Sequence, residues 1–199
     1  MMKNHKTLPI LLAVAFLLSL STCVSDQDTL EDTWDSYIDE GSKAYSEQDF
    51  VEAEKQYVAA LKEAEKFGPQ DSRLITSLDA LASVYEAQQK WVEAEPLYQR
   101  TLALQENLLG LEHPDVADNL NNLAIVYKAQ GKYSEAEALY TRELAIWENV
   151  LGPEHLKVAT TMENYASLLR LMNRKDEADL LGARAKAILS KRDPESLRR

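Results

Sequence analysis

Cysteine is nearly absent from this chain: Cys23 is the only one in 199 residues. No internal disulfide can hold the fold, and no pair of thiolates can bind zinc. Glycine and proline are scarce as well, six of each, which excludes a collagen-like or loop-dominated chain. Histidine is limited to His5, His113 and His155. The last two lie 42 residues apart, with no second ligand at helical spacing, so they fit equivalent turns of a repeat better than a metal site. Positive charge is in deficit, 22 Lys+Arg against 33 Asp+Glu, for a net charge of −11. Such a chain offers nucleic acid no cationic surface. The imbalance is local: residues 24–181 hold 14 basic and 31 acidic side chains, 14 − 31 = −17, and residues 182–199 hold 6 and 2, 6 − 2 = +4. Glycine-rich phosphate loops and Gly-x-Ser-x-Gly elbows do not occur. No cofactor, no metal and no catalytic residue is expected, and the chain reads as a non-enzyme.

Long hydrophobic runs are missing too, except for one. Residues 8–20, "LPILLAVAFLLSL", follow Lys3 and Lys6. Thirteen residues are short of the ~20 that span a bilayer but suit the apolar region of a signal peptide, which is expected over 1–22. The run ends in "LSTC". This resembles the bacterial lipobox, in which the cysteine becomes the lipidated first residue. Leu20 and Ser21 fit that pattern; Thr22 departs from it, since a smaller residue is usual there. The resemblance implies a lipid on Cys23, a linker over 23–30 and a periplasm-facing, membrane-held protein of the cell envelope. Val24 stands where Asp would favour inner-membrane retention, so the outer membrane is preferred. Ordinary cleavage, releasing a soluble periplasmic protein, and an uncleaved N-terminal anchor are the alternatives.

What the chain has in quantity is repetition. "LDALASVYEAQQKWVEAEPLY" starts at Leu78 and "LNNLAIVYKAQGKYSEAEALY" at Leu120, 42 residues later. A third copy continues from Met162, and a degenerate first copy begins at Tyr37, aligned with the next at an offset of 41 as far as Tyr57. Leu120, Leu123, Ala124 and Tyr127 recur at i, i+3, i+4, i+7, and Tyr133, Ala136, Leu139, Tyr140 and Leu144 follow the same rule, so each unit reads as two helices. Gly131 punctuates the joint. Gly68, Gly110 and Gly152 follow the second helices, where a left-handed cap would require glycine. Glu93, Glu135 and Glu177 fall in first turns, where the helix dipole favours an anion; their recurrence in every unit argues against a paired-carboxylate active site. Ala82, Ala124 and Ala166, with Gly41 as counterpart, and Ala53, Ala94, Ala136 and Ala178 are small enough for two helix axes to approach. Tyr57, Tyr98 and Tyr140 are expected to reach into the following unit. Gly182, next in that series, is read as the end of the array. Pro96 is expected to bend the start of its helix.

These motifs resemble the tetratricopeptide-repeat (TPR) family, in particular the 42-residue variant of kinesin light chains. The resemblance covers residues 31–192, as repeats over about 31–71, 72–113, 114–155 and 156–192, with 193–199 as a basic tail. It implies an all-α, right-handed solenoid of about four helix-turn-helix units forming a crescent. The first helices would line a concave face that grips a segment of another protein. Subtracting buried positions leaves Asp39, Ser42 and Tyr45, then Asp79, Ser83 and Glu86, then Asn121, Asn122, Ile125 and Lys128, and last Glu163, Asn164, Ser167 and Arg170. Asn122 and Asn164 are equivalent, and the amide of Asn can both donate to and accept from peptide backbone, as the resemblance implies at this place. Lys128 and Arg170 make one half of the face positive and Asp39, Asp79 and Glu86 the other half negative, so a bound segment should lie with its acidic end toward Arg170. The expected function is an envelope-anchored adaptor for a partner protein, itself expected to belong to the envelope. A structural, self-associating repeat protein is the alternative, and the oligomeric state stays open.

Overall fold

The computed structural model describes residues 29–191. Cys23, the segment 1–22 and the tail 193–199 lie outside the described residues. Eight helices and no strand occupy the described residues. Helix α1 covers 29–46. It is followed by α2 (Phe50–Phe67), α3 (Ser72–Ala87), α4 (Trp91–Leu109), α5 (Pro114–Ala129), α6 (Tyr133–Leu151), α7 (Leu156–Leu171) and α8 (Lys175–Ser190). Odd-numbered helices are the first of each pair, even-numbered the second. Contacts divide the chain into one compact unit ending at Gly68 and another beginning at Pro69.

In the unit ending at Gly68, Gly41 on α1 takes the ring of Tyr57 on α2. A Cβ at residue 41 would stand 2.5 Å from the ring edge, closer than any packed carbon tolerates, so only glycine admits this approach. The Tyr57 hydroxyl is 3.2 Å from the hydroxyl of Ser42.

In the unit beginning at Pro69, α3 packs on α4, α5 on α6 and α7 on α8, and successive pairs stack through α4–α5 and α6–α7. The small positions do what close packing asks of them: Ala82, Ala94, Ala124, Ala136 and Ala178 are fully buried. Above them lie the tyrosines. Tyr98 packs with Leu123 and Val126 of α5. Tyr140 packs with Leu168 of α7 and stacks on Tyr165, ring centroids 6.1 Å apart. A larger core joins Val116 and Leu120 of α5, Ile146 and Trp147 of α6, Val158 and Met162 of α7, and Ile188 of α8.

The helix ends explain the period. Asp71, His113 and His155 are equivalent N-caps, each accepting from the backbone N–H two residues on, at 3.0, 3.2 and 3.2 Å. The two histidines are thus caps rather than merely turn residues. First helices close by a Schellman motif. In α3, Gln89 N–H donates to Glu86 and Lys90 N–H to Tyr85, both at 2.8 Å, a pairing that requires one left-handed residue. Gly131 fills that place after α5 with φ 77°, but Gln48, Gln89 and Asn173 fill it elsewhere, with φ 63°, 58° and 61°. The glycines after the second helices differ from expectation. Gly110 and Gly152 have φ 91° and 86° with ψ 162° and 156°, an extended conformation open almost only to glycine rather than the left-handed helical one. The chain must leave the helix at once to reach the next cap. Pro96 sits inside an unbroken α4. It and Val92, whose carbonyl it cannot serve, are exposed, so water can take that carbonyl.

Candidate functional site

The residues singled out by the sequence lie on the first helices, where the α3, α5 and α7 members can be compared position by position. One layer is Asp79, Asn121 and Glu163. Asp79 is not the outward charge the sequence suggests. It is half-buried, with one carboxylate oxygen wholly enclosed, beside Thr101 of α4. Burial, more than the nearby Asp115, pushes its carboxyl up to about 6. Glu163, by contrast, is exposed.

The asparagines form a chain rather than two independent rungs. Asn164 donates to Asn121 at 2.9 Å across α7 and α5, and the Asn121 amide is 3.5 Å from the side-chain oxygen of Asn122. The expected equivalence of Asn122 and Asn164 is one of position only, because Asn121 has taken the Asn164 amide. All three remain partly accessible.

A third layer holds Glu86, Lys128 and Arg170. The Tyr98 hydroxyl donates to Glu86 at 2.8 Å and lies 3.5 Å from Ser83. One repeat later the positions equivalent to Ser83 and Glu86 are Ile125 and Lys128, neither of which can accept a tyrosine proton. The Tyr140 hydroxyl is enclosed and has no partner among the described residues; burial raises its pKa. Lys128 is half-buried, and burial lowers its pKa. No described carboxylate pairs with it. In the last repeat Gly182 replaces the tyrosine, and the exposed Arg170 guanidinium lies 3.5 Å from where a Cβ would stand, held loosely at 3.4 Å by Asp179. Ser167 is exposed and Ile125 half-buried. In the other unit Asp39 is exposed, and Tyr45, 38% exposed, meets Phe50 edge-on at 5.6 Å.

Two buried polar pairs cross between neighbouring repeats. Thr161 of α7 donates to Glu143 of α6 at 2.5 Å, and Asn119 of α5 donates to Gln105 of α4 at 3.2 Å. Second helices are laced by ion pairs that recur with the repeat: Lys132 to Glu95 and Arg174 to Glu137, each at 2.6 Å, then Arg142 to Glu106 and Arg184 to Glu148. The Tyr165 hydroxyl, then Arg174, hold the Glu137 carboxyl below the usual range. Among the described residues no cluster of acids, histidines or cysteines could hold a metal ion, and no helix is long and apolar enough to cross a membrane.

Comparison with known proteins matches the chain to the family described as "Tetratricopeptide repeat" over residues 44–107, 74–146 and 115–191. Among solved structures it is similar to the nearly identical TPR-like repeats of a kinesin-light-chain candidate from Podosopora anserina. The TM-score is 0.72 at 23% identity, over 81% of this chain and 77% of that one. It is also similar to BtubC (BKLC) from P. vanneervenii, with a TM-score of 0.66 at 26% identity, over 80% and 73% of the two chains. No curated protein sequence matches it.

Proposed function

The chain belongs to the tetratricopeptide-repeat family, and from that premise we propose that it is an adaptor of the bacterial cell envelope that holds a segment of a partner protein on the face of α3, α5 and α7. Repeats of this kind generally serve protein–protein interaction, and no catalytic family is indicated. One observation carries the reading. Lys128 presents a half-buried ammonium with no described partner, one repeat after the place where Glu86 accepts the Tyr98 proton. Buried polar groups left unpaired cost free energy. A carboxylate supplied by a ligand would satisfy the ammonium, with Arg170 beyond and the Asn164–Asn121–Asn122 chain offering amides to the ligand's backbone. Glu86 at the α3 end repels the same carboxylate, so the segment lies with its acidic end toward Arg170. Exposed charges of this sort set orientation and association rate more than affinity.

The test is a photo-crosslinking amino acid placed in the full chain at Ser167, with Val92, which is 75% exposed on a second helix, as the control. Capture of one protein from native membranes through Ser167 but not Val92, lost in Lys128→Glu/Arg170→Glu, supports the reading. Equal capture from both positions overturns it, and a product that is a dimer of this chain favours self-association. Tethering through a lipid on Cys23 is the second half of the proposal. A radioactive fatty acid should label the wild type and spare Cys23→Ser; labelling of both, or of neither, removes the anchor and leaves a soluble periplasmic adaptor.

A further inference from the structure

The junction between the third and fourth helix pairs contains a carboxyl group with no evident structural merit. Glu143 on α6 is only 4% exposed. One of its oxygens accepts from Thr161 of α7 at 2.5 Å; the other is enclosed without a bond of ordinary geometry, and the Trp147 indole N–H is the donor that faces the carboxyl from its own helix. The groups that face it are Asp118 from α5, Lys157 from α7, and Trp147 and Tyr140 from its own helix. Lys157 is the one ammonium there among the described residues. It pairs with Asp118 and lies 4.8 Å over the Trp147 ring. Two carboxyls therefore share one cation, and the one with better access to water, Asp118, has taken it.

The preceding junction provides an internal comparison. There the positions equivalent to Glu143, Trp147 and Thr161 are Thr101, Gln105 and Asn119. No ionisable group is among them, and Asn119 bonds directly to Gln105. The carboxyl beside Thr101 is that of Asp79, which comes from α3 and is only half-buried; at the three seam positions themselves a carboxyl stands only in the later junction. Burying an ionised carboxylate without a cation costs far more than burying the neutral acid.

We propose that the α6–α7 junction is a proton-operated latch: with Glu143 protonated the α7–α8 pair is held against α6, and with Glu143 ionised that pair opens locally. Because α7 carries Asn164, Ser167 and Arg170, the latch would set whether the last repeat's share of the binding face is in place. The direction follows from the burial of Glu143, which raises its carboxyl to about 7, above an ordinary carboxyl. The closed state binds more protons than the open one between those limits, so closure weakens as pH rises toward neutrality.

Hydrogen exchange of the full chain at pH 6 and pH 8, corrected for intrinsic rates, tests this. Opening of the α7–α8 amides should increase about tenfold from pH 6 to pH 8, as a carboxyl shifted from 4.5 to about 7 requires, while Glu143→Gln should be flat. Asp118→Asn, a change at an exposed side chain, should free Lys157 for Glu143 and move the transition to lower pH. A flat wild type, or an equal pH dependence in Glu143→Gln, overturns the latch. An unmoved transition in Asp118→Asn overturns the sharing of one cation by two acids.

Discussion

Asp79 illustrates what a single carboxyl does when its repeat equivalents are amide and surface acid. Its enclosed oxygen has no described hydrogen-bond partner, and its pKa rises from 3.8 to about 6. A folded-state value above the unfolded one means the native state binds the extra proton. Stability from this group is therefore present at low pH and lost as pH climbs from about 4 through 6. Asp79→Asn should raise stability by about 1–3 kcal/mol at pH 8, from roughly 1.4 kcal/mol per pKa unit, and by almost nothing at pH 4. Urea midpoints at the two pH values check it. An equal gain at both would mean that the charge is not the cause. Position alone does not reveal this: Asp79, Asn121 and Glu163 look alike by register. The residue beside the Asp79 carboxyl, Thr101, lies on the following helix. The same holds for Glu143 and Thr161, 18 residues and one repeat apart, and for Asn164 and Asn121, whose bond crosses 43 residues.

At the scale of the helix and its joint, repetition made the alanine and tyrosine positions readable, because each copy restates them. Left-handed residues were less readable, since only Gly131 advertises itself. Gln89 takes the same conformation because the Schellman bonds to Glu86 and Tyr85 require it. A left-handed non-glycine residue costs roughly 1–2 kcal/mol, offset in part by glycine's larger entropy loss on folding. Gln89→Gly should therefore stabilise by about 0.5–1 kcal/mol, while Gly131→Gln should destabilise by a similar amount; thermal melts of the pair test the sign. Packing gives a second contrast. Ala136 is fully buried between α5 and α6, so Ala136→Leu should cost about 1–3 kcal/mol by overpacking. Gly182 lies in mid-helix with one side-chain atom at ordinary contact distance, so Gly182→Ala should gain up to about 1 kcal/mol. If the Gly182 change proved the more damaging in urea, another surface would have to cover that face.

For the molecule as a whole, stability in such arrays is close to a sum of unit and nearest-neighbour contributions. The ion pairs between second helices state the neighbour rule in chemical form. From α4 to α6 and from α6 to α8, acids of the earlier second helix meet bases at the start of or within the later one: Glu95 to Lys132, then Glu137 to Arg174; Glu106 to Arg142, then Glu148 to Arg184. Inserting a second copy of residues 114–155 after the first would present Glu137 and Glu148 of one copy to Lys132 and Arg142 of the next. Both seams would keep their pairs. The lengthened chain should unfold in one transition with a larger urea m-value, since m follows the surface exposed, and a midpoint no lower than the parent's. A separate early transition would show that the copies do not fit.

The pairing rule is not continued by α8. One repeat beyond Glu137 and Glu148 stand Asp179, already engaged with Arg170, and Ser190. A further unit docked there would find one acid occupied and the other missing. The protein thus carries a splice rule in its surface: units copied into its interior arrive with matching edges, whereas units appended at α8 do not. Growth of such a chain by tandem duplication would be tolerated within the array and penalised next to α8.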